Sequence, residues 1–138
     1  MYNLSNICKV ANQLTKEGYT KSDAFKQAWQ LAKQLISKVA GTSFGKRNKA
    51  IAHLTRYDMG DIHVYLEREN NPYDKNAIQV ITEVSGKGRY CVGYIPAIIA
   101  KILAPVMDSG TQVKAIVRDI VGGWDIGINY GLRLDIAI

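Results

Sequence analysis

The 138-residue sequence predicts a mainly β domain with some α-helix, built as a small six-stranded barrel with one inserted helix after a two-helix hairpin. Three observations predict this class. Apolar residues recur every three or four positions over residues 1–36, alternate with polar residues over much of 37–138, and form one late apolar run at 96–108. Short strands in this number favour a closed or partly closed barrel, since closure removes unpaired sheet edges. We therefore divide the chain into a helical hairpin, residues 1–36, and a β-barrel domain, residues 37–138.

The first segment predicts two short helices. Ile7, Val10 and Leu14 lie at three- and four-residue steps, which places them on one helical face, and Gly18 ends that pattern. A second apolar face runs from Ala24 to Ile36. A helical hairpin of this length does not bury its apolar face alone, so we expect it to pack on the rest of the chain or on a second copy.

The strands and the late helix follow in order. The first strand is expected to run from Ser37 to Phe44, and a basic connection with a helical turn occupies residues 45–54. The late helix, residues 96–108, begins with proline, which the first turn of a helix tolerates. The six expected strands lie at residues 37–44, 61–69, 76–84, 89–96, 111–121 and 130–138.

The charge distribution favours an anionic partner. The net charge is +6, and the basic excess is confined to the first 61 residues, while later basic and acidic residues cancel. Nucleic acid is the first candidate for such a partner, although a merely soluble basic surface has the same composition. The apolar run near residues 95–107 is interrupted by proline and lysine, and the start of the chain lacks a signal-peptide pattern. We expect a cytoplasmic protein with no membrane partner.

Catalytic motifs are not evident, so the sequence predicts a non-enzymatic protein without cofactor or metal. His53 and His63 lack neighbours at metal-ligand spacing, and Cys8 and Cys91 are expected to be buried reduced thiols. An acidic cluster formed by Glu67, Glu69 and Asp74 raises the alternative of a metal-dependent nuclease. No acid-x-Lys pair follows on the next strand, and the interpretation as a solvated strand face is favoured.

The segment Asn71-Pro72-Tyr73-Asp74 predicts a tight turn with unusual residues at its tip. Asn at the first position and Pro at the second are ordinary turn residues, because proline fixes φ and the asparagine side chain bonds nearby backbone. Tyr73 and Asp74 then fall at the far corner and are expected to face solvent. The alternative is that Tyr73 folds back over the barrel while Asp74 caps a main-chain N–H.

Four segments together resemble the HIRAN domain: Val39–Phe44 (VAGTSF), Gly60–Val80 with its Arg-Glu-x-Asn-Pro-Tyr-Asp-x-Asn-Ala-Ile string, Val92–Pro96 (VGYIP), and the helix IAKILAPVMDSG. Their order and spacing match as well. The resemblance covers about residues 37–138 and implies a barrel related to the OB-fold or SH3-like barrels. It also implies a bacterial or phage protein, or a module fused to helicase-like motors and nucleases, with roles in DNA repair.

In fork-remodelling members the resemblance implies binding of single-stranded DNA with capture of its free 3′ end. Carried over by position, Tyr73 would stack on the terminal base, Asp74 would accept a hydrogen bond from the 3′-hydroxyl, and Phe44 would form a second aromatic wall. End-capturing members carry a basic residue just before the aromatic that Phe44 matches, and this chain has Ser43 there. The candidate phosphate contacts are therefore Lys46, Arg47 and Lys75.

Other residues have supporting roles in this interpretation. Asn71 and Pro72 hold the turn, and Asn76 ties it to the barrel. Tyr94 is either a lining residue of the site or a strand-packing residue. A separate helicase or nuclease is a candidate partner protein. The alternative function is a protein-interaction module, in which the Trp29 face or the barrel groove grips a peptide, or the N-terminal helices form a homodimer.

Overall fold

The computed structural model describes residues 4–33, 35–125 and 127–138, and this part of the chain forms four α-helices and one six-stranded sheet. The helices are α1 (Leu4–Lys16), α2 (Lys21–Lys33), α3 (Arg47–Leu54) and α4 (Ala97–Asp108), with a 3₁₀ turn at Met59–Asp61. The strands are β1 (Leu35–Lys38), β2 (Ile62–Arg68), β3 (Ile78–Val84), β4 (Arg89–Tyr94), β5 (Lys114–Gly122) and β6 (Tyr130–Ala137).

The sheet is antiparallel and curls into a half-barrel, with strand order β1-β6-β5-β2-β3-β4. β2 and β5 pair only through Val64 and Ala115. At the other side, Ala40 forms a bridge with Tyr94 of β4, with N–O distances of 2.7 and 2.9 Å. The first and last strands of the sheet are thus brought together at one end. The predicted class, mainly β with α and an OB-like barrel, is confirmed.

Gly93 permits this closure. A Cβ at position 93 would lie 2.3 Å from the carbonyl oxygen of Ala40 and 2.6 Å from Cγ1 of Val39. No side chain fits at such a distance, since close-packed interiors leave no space for an added atom. Glycine is therefore required where the segment after β1 crosses β4.

The helical hairpin packs on the sheet. Ile7, Val10 and Leu14 of α1 and the two alanines Ala24 and Ala28 of α2 are all buried in the same apolar core as the sheet and α4. This core also contains, from the barrel residues, Ile78, Val80, Leu103, Leu132, Leu134 and Ile136. The expectation that the hairpin buries its face on the rest of the chain agrees with this packing.

The elements near residue 36 differ from the prediction. α2 ends at Lys33, and β1 begins at Leu35, because Leu35 and Ile36 pair with Ile136 and Asp135 of β6. Ile36 therefore leaves the predicted helical face, and its side chain is half exposed. The predicted strand 37–44 ends at Lys38, because Ala40 changes partner from β6 to Tyr94 of β4, and Gly41, with a positive φ of 73°, then turns the chain. α3 is a full two-turn helix, where the sequence predicted a helical turn and only one inserted helix.

The cysteines also differ from the prediction. Cys8 is exposed and Cys91 is half-buried, and both are free thiols. Cys8 lies beside Ile7 on α1, off the face that Ile7, Val10 and Leu14 bury, so the expected burial is wrong. In the described segments, none of the helices is both long and apolar enough to cross a membrane.

Candidate nucleic-acid interface

The turn at the tip of the β2–β3 hairpin is built from two side chains that bond the backbone two residues ahead. Oδ1 of Asn71 accepts a hydrogen bond from the N–H of Tyr73 at 2.8 Å, and Oδ1 of Asp74 accepts one from the N–H of Asn76 at 2.9 Å. The N–H of Ala77 then donates to the carbonyl of Asp74 at 3.2 Å. Such side-chain bonds replace backbone ladder bonds and fix the conformation of a turn.

Arg68 fastens this turn to the body of the domain. Its Nη1 donates to the carbonyl of Ala77 at 2.6 Å, and its Nη2 donates to the carbonyl of Lys75 at 2.7 Å. Its Nε donates to Oδ1 of Asp108, at the end of α4, at 3.0 Å. The planar guanidinium holds several acceptors in fixed geometry, so the turn is anchored to the end of β2 and, through Asp108, to α4.

Tyr73 and Asp74 lie at the outermost point of this anchored turn. The Tyr73 side chain is 97% exposed, so its ring does not fold back over the barrel. Asp74 is exposed too, and its Oδ1 caps the main-chain N–H of Asn76, as the alternative interpretation expected for this residue. An ionised carboxylate has about four lone-pair sites, and this bond therefore leaves acceptor capacity for another donor.

Glu69 is the hub of a polar network beneath the turn. Oε1 of Glu69 accepts hydrogen bonds from the hydroxyl of Tyr94 at 2.9 Å and from Nε2 of Gln79 at 3.2 Å. Its Oε2 accepts one from Nδ2 of Asn71 at 3.1 Å. The hydrogen bond to Glu69, with burial as a further cause, raises the pKa of the Tyr94 phenol above its ordinary value. Tyr94 therefore joins β4 to the turn.

Arg47, the first residue of α3, lies between two aromatic rings. Its guanidinium carbon is 5.2 Å from the centroid of the Tyr94 ring and 5.8 Å from that of Phe44. These distances are within the range of cation–π attraction. Nη1 of Arg47 also donates to the carbonyl of Gly41 at 3.0 Å, which fixes the loop that carries Phe44. Phe44 itself is 68% exposed.

The structure thus connects Phe44 to the turn through a chain of contacts that passes through Arg47, Tyr94, Glu69 and Asn71. Within the described residues, Tyr73 and Phe44 are linked by this chain and not by a ring–ring contact. Tyr94, which the sequence left as either lining or packing, has a half-buried ring whose hydroxyl belongs to the network.

The two predicted lysines lie at different places around this site. Lys75 borders two shallow surface cavities of about 220 and 460 Å³, each shared with Arg68 and Asp108. Lys46 immediately precedes Arg47 and borders a cavity of about 410 Å³ between α3 and the β3–β4 hairpin. Both side chains are exposed. Pro72 is also exposed, and Asn76 contributes its main-chain N–H to the turn.

The acidic residues that suggested a nuclease are separated by their partners. Glu67 accepts a hydrogen bond from Nη2 of Arg89 at 2.7 Å, whereas Glu69 is occupied by Tyr94, Gln79 and Asn71. Among the residues that the structure describes, no three His, Cys, Asp or Glu side chains form a group suited to a metal ion. Arginine, amide and phenol donors thus bond the carboxylates of Glu67 and Glu69.

Several residues of the site were not identified from sequence. Glu69 was assigned to an acidic strand face, and Gln79, Arg68 and Asp108 were given no part in the site. The available signal was the pair of residues flanking the turn, because Arg68 and Glu69 immediately precede Asn70-Asn71 and bond side chains or carbonyls of the turn.

The fold and this arrangement define a small OB-like barrel domain with a surface site of exposed aromatic rings, a carboxylate and basic residues. The family model of the HIRAN domain matches residues 33–127. The chain therefore belongs to the HIRAN domain family. This domain is a binding domain rather than a catalytic one, and the family is generally linked to DNA binding.

Further comparisons add little to the family assignment. A crystal structure of a protein from Lactobacillus plantarum aligns with a TM-score of 0.48 at 25% sequence identity, over 76% of this chain and 95% of that protein. The curated proteins contain no match to this chain. The assignment thus rests on the HIRAN match.

Proposed function

We propose that this protein binds the free 3′ end of single-stranded DNA at the surface formed by Tyr73, Asp74, Phe44 and Tyr94. The observation that carries the proposal is the 97% exposure of the Tyr73 ring at the tip of a turn held by side-chain and arginine bonds. A rigid exposed ring loses little conformational entropy on binding. Stacking of a base on an aromatic ring contributes about 1–3 kcal/mol whatever the sequence.

Asp74 supports the recognition of a strand terminus in this proposal. A carboxylate repels the phosphates of a continuous strand, and it suits the place where the backbone stops and a hydroxyl donor is exposed. Its free acceptor capacity accommodates the 3′-hydroxyl while Asn76 retains the main-chain bond. A 3′-phosphate at this position would meet the negative charge of Asp74 instead.

Cations near the site supply the phosphate contacts. Arg47 uses one nitrogen to bond Gly41, and a guanidinium has five N–H donors, so others are available for a phosphate oxygen. Lys46 and Lys75 are exposed and border different cavities near these residues. A protein that only holds a strand end needs a separate helicase or nuclease to act on it, and we infer such a partner protein.

The test compares single strands that end in a 3′-hydroxyl with strands that end in a 3′-phosphate, by anisotropy of a 5′ fluorophore. We expect the hydroxyl end to bind about tenfold more tightly, and Asp74→Asn to remove that preference. Tyr73→Ala should weaken both ends. Matched controls are Asp58→Asn, an exposed carboxylate elsewhere, and Trp124→Ala, a 78% exposed aromatic. Equal affinity for both ends, unchanged by the Tyr73 and Asp74 variants, rejects end capture.

A second candidate function is protein binding through α2. Phe25 is 43% exposed, and with Trp29 and two lysines it borders a surface cavity of about 600 Å³. Such an apolar and basic helix face suits a peptide or a second copy of this chain. Binding of this kind depends weakly on salt, whereas nucleic-acid binding weakens steeply as salt rises. Sedimentation of wild type and Phe25→Ser tests self-association.

A further inference from the structure

A basic groove lies between α3 and the β3–β4 hairpin. Its volume is about 410 Å³, and Lys46, Lys49 and Lys87 line it together with His53 and Tyr90. Leu54 and Val84 supply part of an apolar floor. Among the described residues, none of those that line this groove is acidic. We call this feature the α3–β4 groove.

The spacing of α3 produces the basic side of the α3–β4 groove. Lys46, Lys49 and His53 follow at steps of three and four residues, so they lie on one face of the helix. Ile51 and Leu54 are buried and hold the helix against the sheet. The helix is thus fixed by its apolar residues and presents Lys49, together with Lys46 just before it, to the groove.

Lys87 adds a positive charge from the opposite wall. It lies in the β3–β4 turn, where its N–H donates to the carbonyl of Val84 at 2.8 Å and the preceding Gly86 has a φ of 77°. Tyr90 follows on β4 and is 44% exposed. The groove therefore combines cations on two walls with an aromatic ring and an apolar floor.

Four arginines elsewhere on the protein form ion pairs, and the groove lysines are not part of those pairs. In the described segments, the ion pairs join Arg68 to Asp108, Arg89 to Glu67 and Glu83, Arg118 to Asp135, and Arg133 to Asp119. Each of these pairs uses an arginine. The lysines of the groove thus provide uncompensated positive charge for an external anion.

The groove is continuous with the candidate end-binding site. α3 begins at Arg47, which contacts Phe44 and Tyr94, and Lys46 immediately precedes it. A bulge in β4 sets Tyr90 opposite Thr82 and Tyr94 opposite Gln79, which are three residues apart on β3, so the two rings lie on opposite faces of the sheet. The connection between the two sites is therefore made by Lys46 and Arg47 at the start of α3. A strand whose end lies at Phe44 and Tyr94 would reach the groove past Arg47 and Lys46.

We propose that the α3–β4 groove binds the nucleotides upstream of the strand terminus. The phosphates would contact Lys49 and Lys87, and a base would stack on Tyr90 above the apolar floor. This inference rests on the proposed function and extends it from a terminal pocket to a path for several nucleotides. An acidic peptide shares the charge, but the aromatic platform and the continuity with the end-binding site favour a nucleic-acid strand.

The experiment uses the double variant Lys49→Gln/Lys87→Gln and oligothymidylates of about four and about twelve nucleotides, each with a 3′-hydroxyl. We expect the double variant to bind the longer strand about tenfold more weakly than wild type and to keep its affinity for the shorter one. The slope of log K against log salt for the longer strand should fall by about 1.4, since each phosphate contact on single strands contributes about 0.7. Because the four-nucleotide strand is expected to bind weakly, its affinity is measured by NMR titration.

The matched control is Lys101→Gln/Lys114→Gln, which removes the same charge from exposed lysines outside the groove. If both double variants lose affinity equally, or neither does, the groove proposal is overturned. End capture is judged separately, by the binding of the Tyr73 and Asp74 variants to the two kinds of 3′ end. If the groove variant alone loses affinity but both 3′ ends bind equally, the groove is supported and end capture is rejected. If no oligonucleotide binds wild type, both proposals fail.

Discussion

The hydroxyl of Tyr94 donates a 2.9 Å hydrogen bond to Oε1 of Glu69, and this bond joins residues 25 positions apart in the chain. It connects the end of β4 to the first residue after β2. Through Asn71 the same carboxylate reaches the turn that carries Tyr73. The geometry of the candidate site therefore depends on a contact between the sheet and the turn, as well as on the turn itself.

Tyr94→Phe removes this hydrogen bond while it retains the ring against Arg47. We expect a loss of about 0.5–1.5 kcal/mol in the free energy of unfolding, the usual contribution of one intramolecular hydrogen bond. Glu69 keeps its bonds from Gln79 and Asn71, so the loss should stay in that range. Urea unfolding at neutral pH measures it. An unchanged midpoint would show that the bond adds nothing to stability.

The same bond predicts a pH dependence at the alkaline side. The pKa of Tyr94 is raised in the folded protein, chiefly by the hydrogen bond to Glu69. The protonated Tyr94 phenol contributes fully to stability below its unfolded pKa of about 10. That contribution is lost as pH rises through the higher pKa of the folded state. Difference absorbance titration of wild type and Tyr94→Phe should show one phenol that ionises above the ordinary range. If the phenol that is lost from the titration of Tyr94→Phe ionises with an ordinary pKa in wild type, the prediction is contradicted.

Arg68→Ala should destabilise the turn at residues 71–77 more than a substitution of its ion-pair partner Asp108 does. Arg68 bonds two carbonyls of the turn as well as Asp108, and its loss leaves the part-buried carbonyl of Ala77 without that donor. We expect about 1–3 kcal/mol of destabilisation and faster hydrogen exchange at residues 73–77. Arg68→Lys should not restore it, because an ammonium lacks the planar fork.

The control for Arg68 is Asp108→Asn. The Asp108 side chain is 57% exposed, and exposed ion pairs contribute about 0–1 kcal/mol. This variant should therefore leave the turn carbonyls bonded and exchange protection nearly unchanged. If Asp108→Asn loosens the turn as much as Arg68→Ala does, the ion pair rather than the carbonyl bonds holds the turn.

Local chemistry predicts the barrel strands and the turn because their signals are short in range. β2 buries Ile62 and Val64 and exposes His63 and Tyr65, as its alternation requires. The bonds from Asn71 and Asp74 reach only two residues ahead, so turn chemistry is visible in four consecutive letters. These features need no knowledge of distant contacts.

The rest of the site depends on pairing that a single sequence does not specify. Glu69 contacts Tyr94 because β3 and β4 pair in a register that sets Gln79 opposite Tyr94. The same hairpin places Lys87 across the groove from α3. α3 itself has a weak signal, since only Ile51 and Leu54 of its eight residues are buried. Its length therefore comes from packing on the sheet rather than from a long apolar pattern.

Phe44→Ala should separate binding from stability. The side chain is 68% exposed, so its removal should change the free energy of unfolding by less than about 0.5 kcal/mol. If Phe44 forms a wall of the site, single-stranded DNA should bind about 1–3 kcal/mol more weakly, measured by anisotropy. Ile98→Ala, at an 84% exposed position on α4, is the control and should alter neither quantity.

Gly93→Ala should open the closure between β4 and the segment after β1. The added Cβ would lie 2.3 Å from the carbonyl oxygen of Ala40, which bridges Tyr94 at that point. Backbone must shift to relieve the overlap, and we expect destabilisation of about 1–3 kcal/mol with weaker DNA binding, because Tyr94 moves with the bridge. Gly60→Ala is the matched control, since a Cβ there meets nothing within 4 Å and Gly60 does not line the α3–β4 groove. Equal urea midpoints for the two variants would show that the crossing tolerates a side chain and that closure does not depend on glycine.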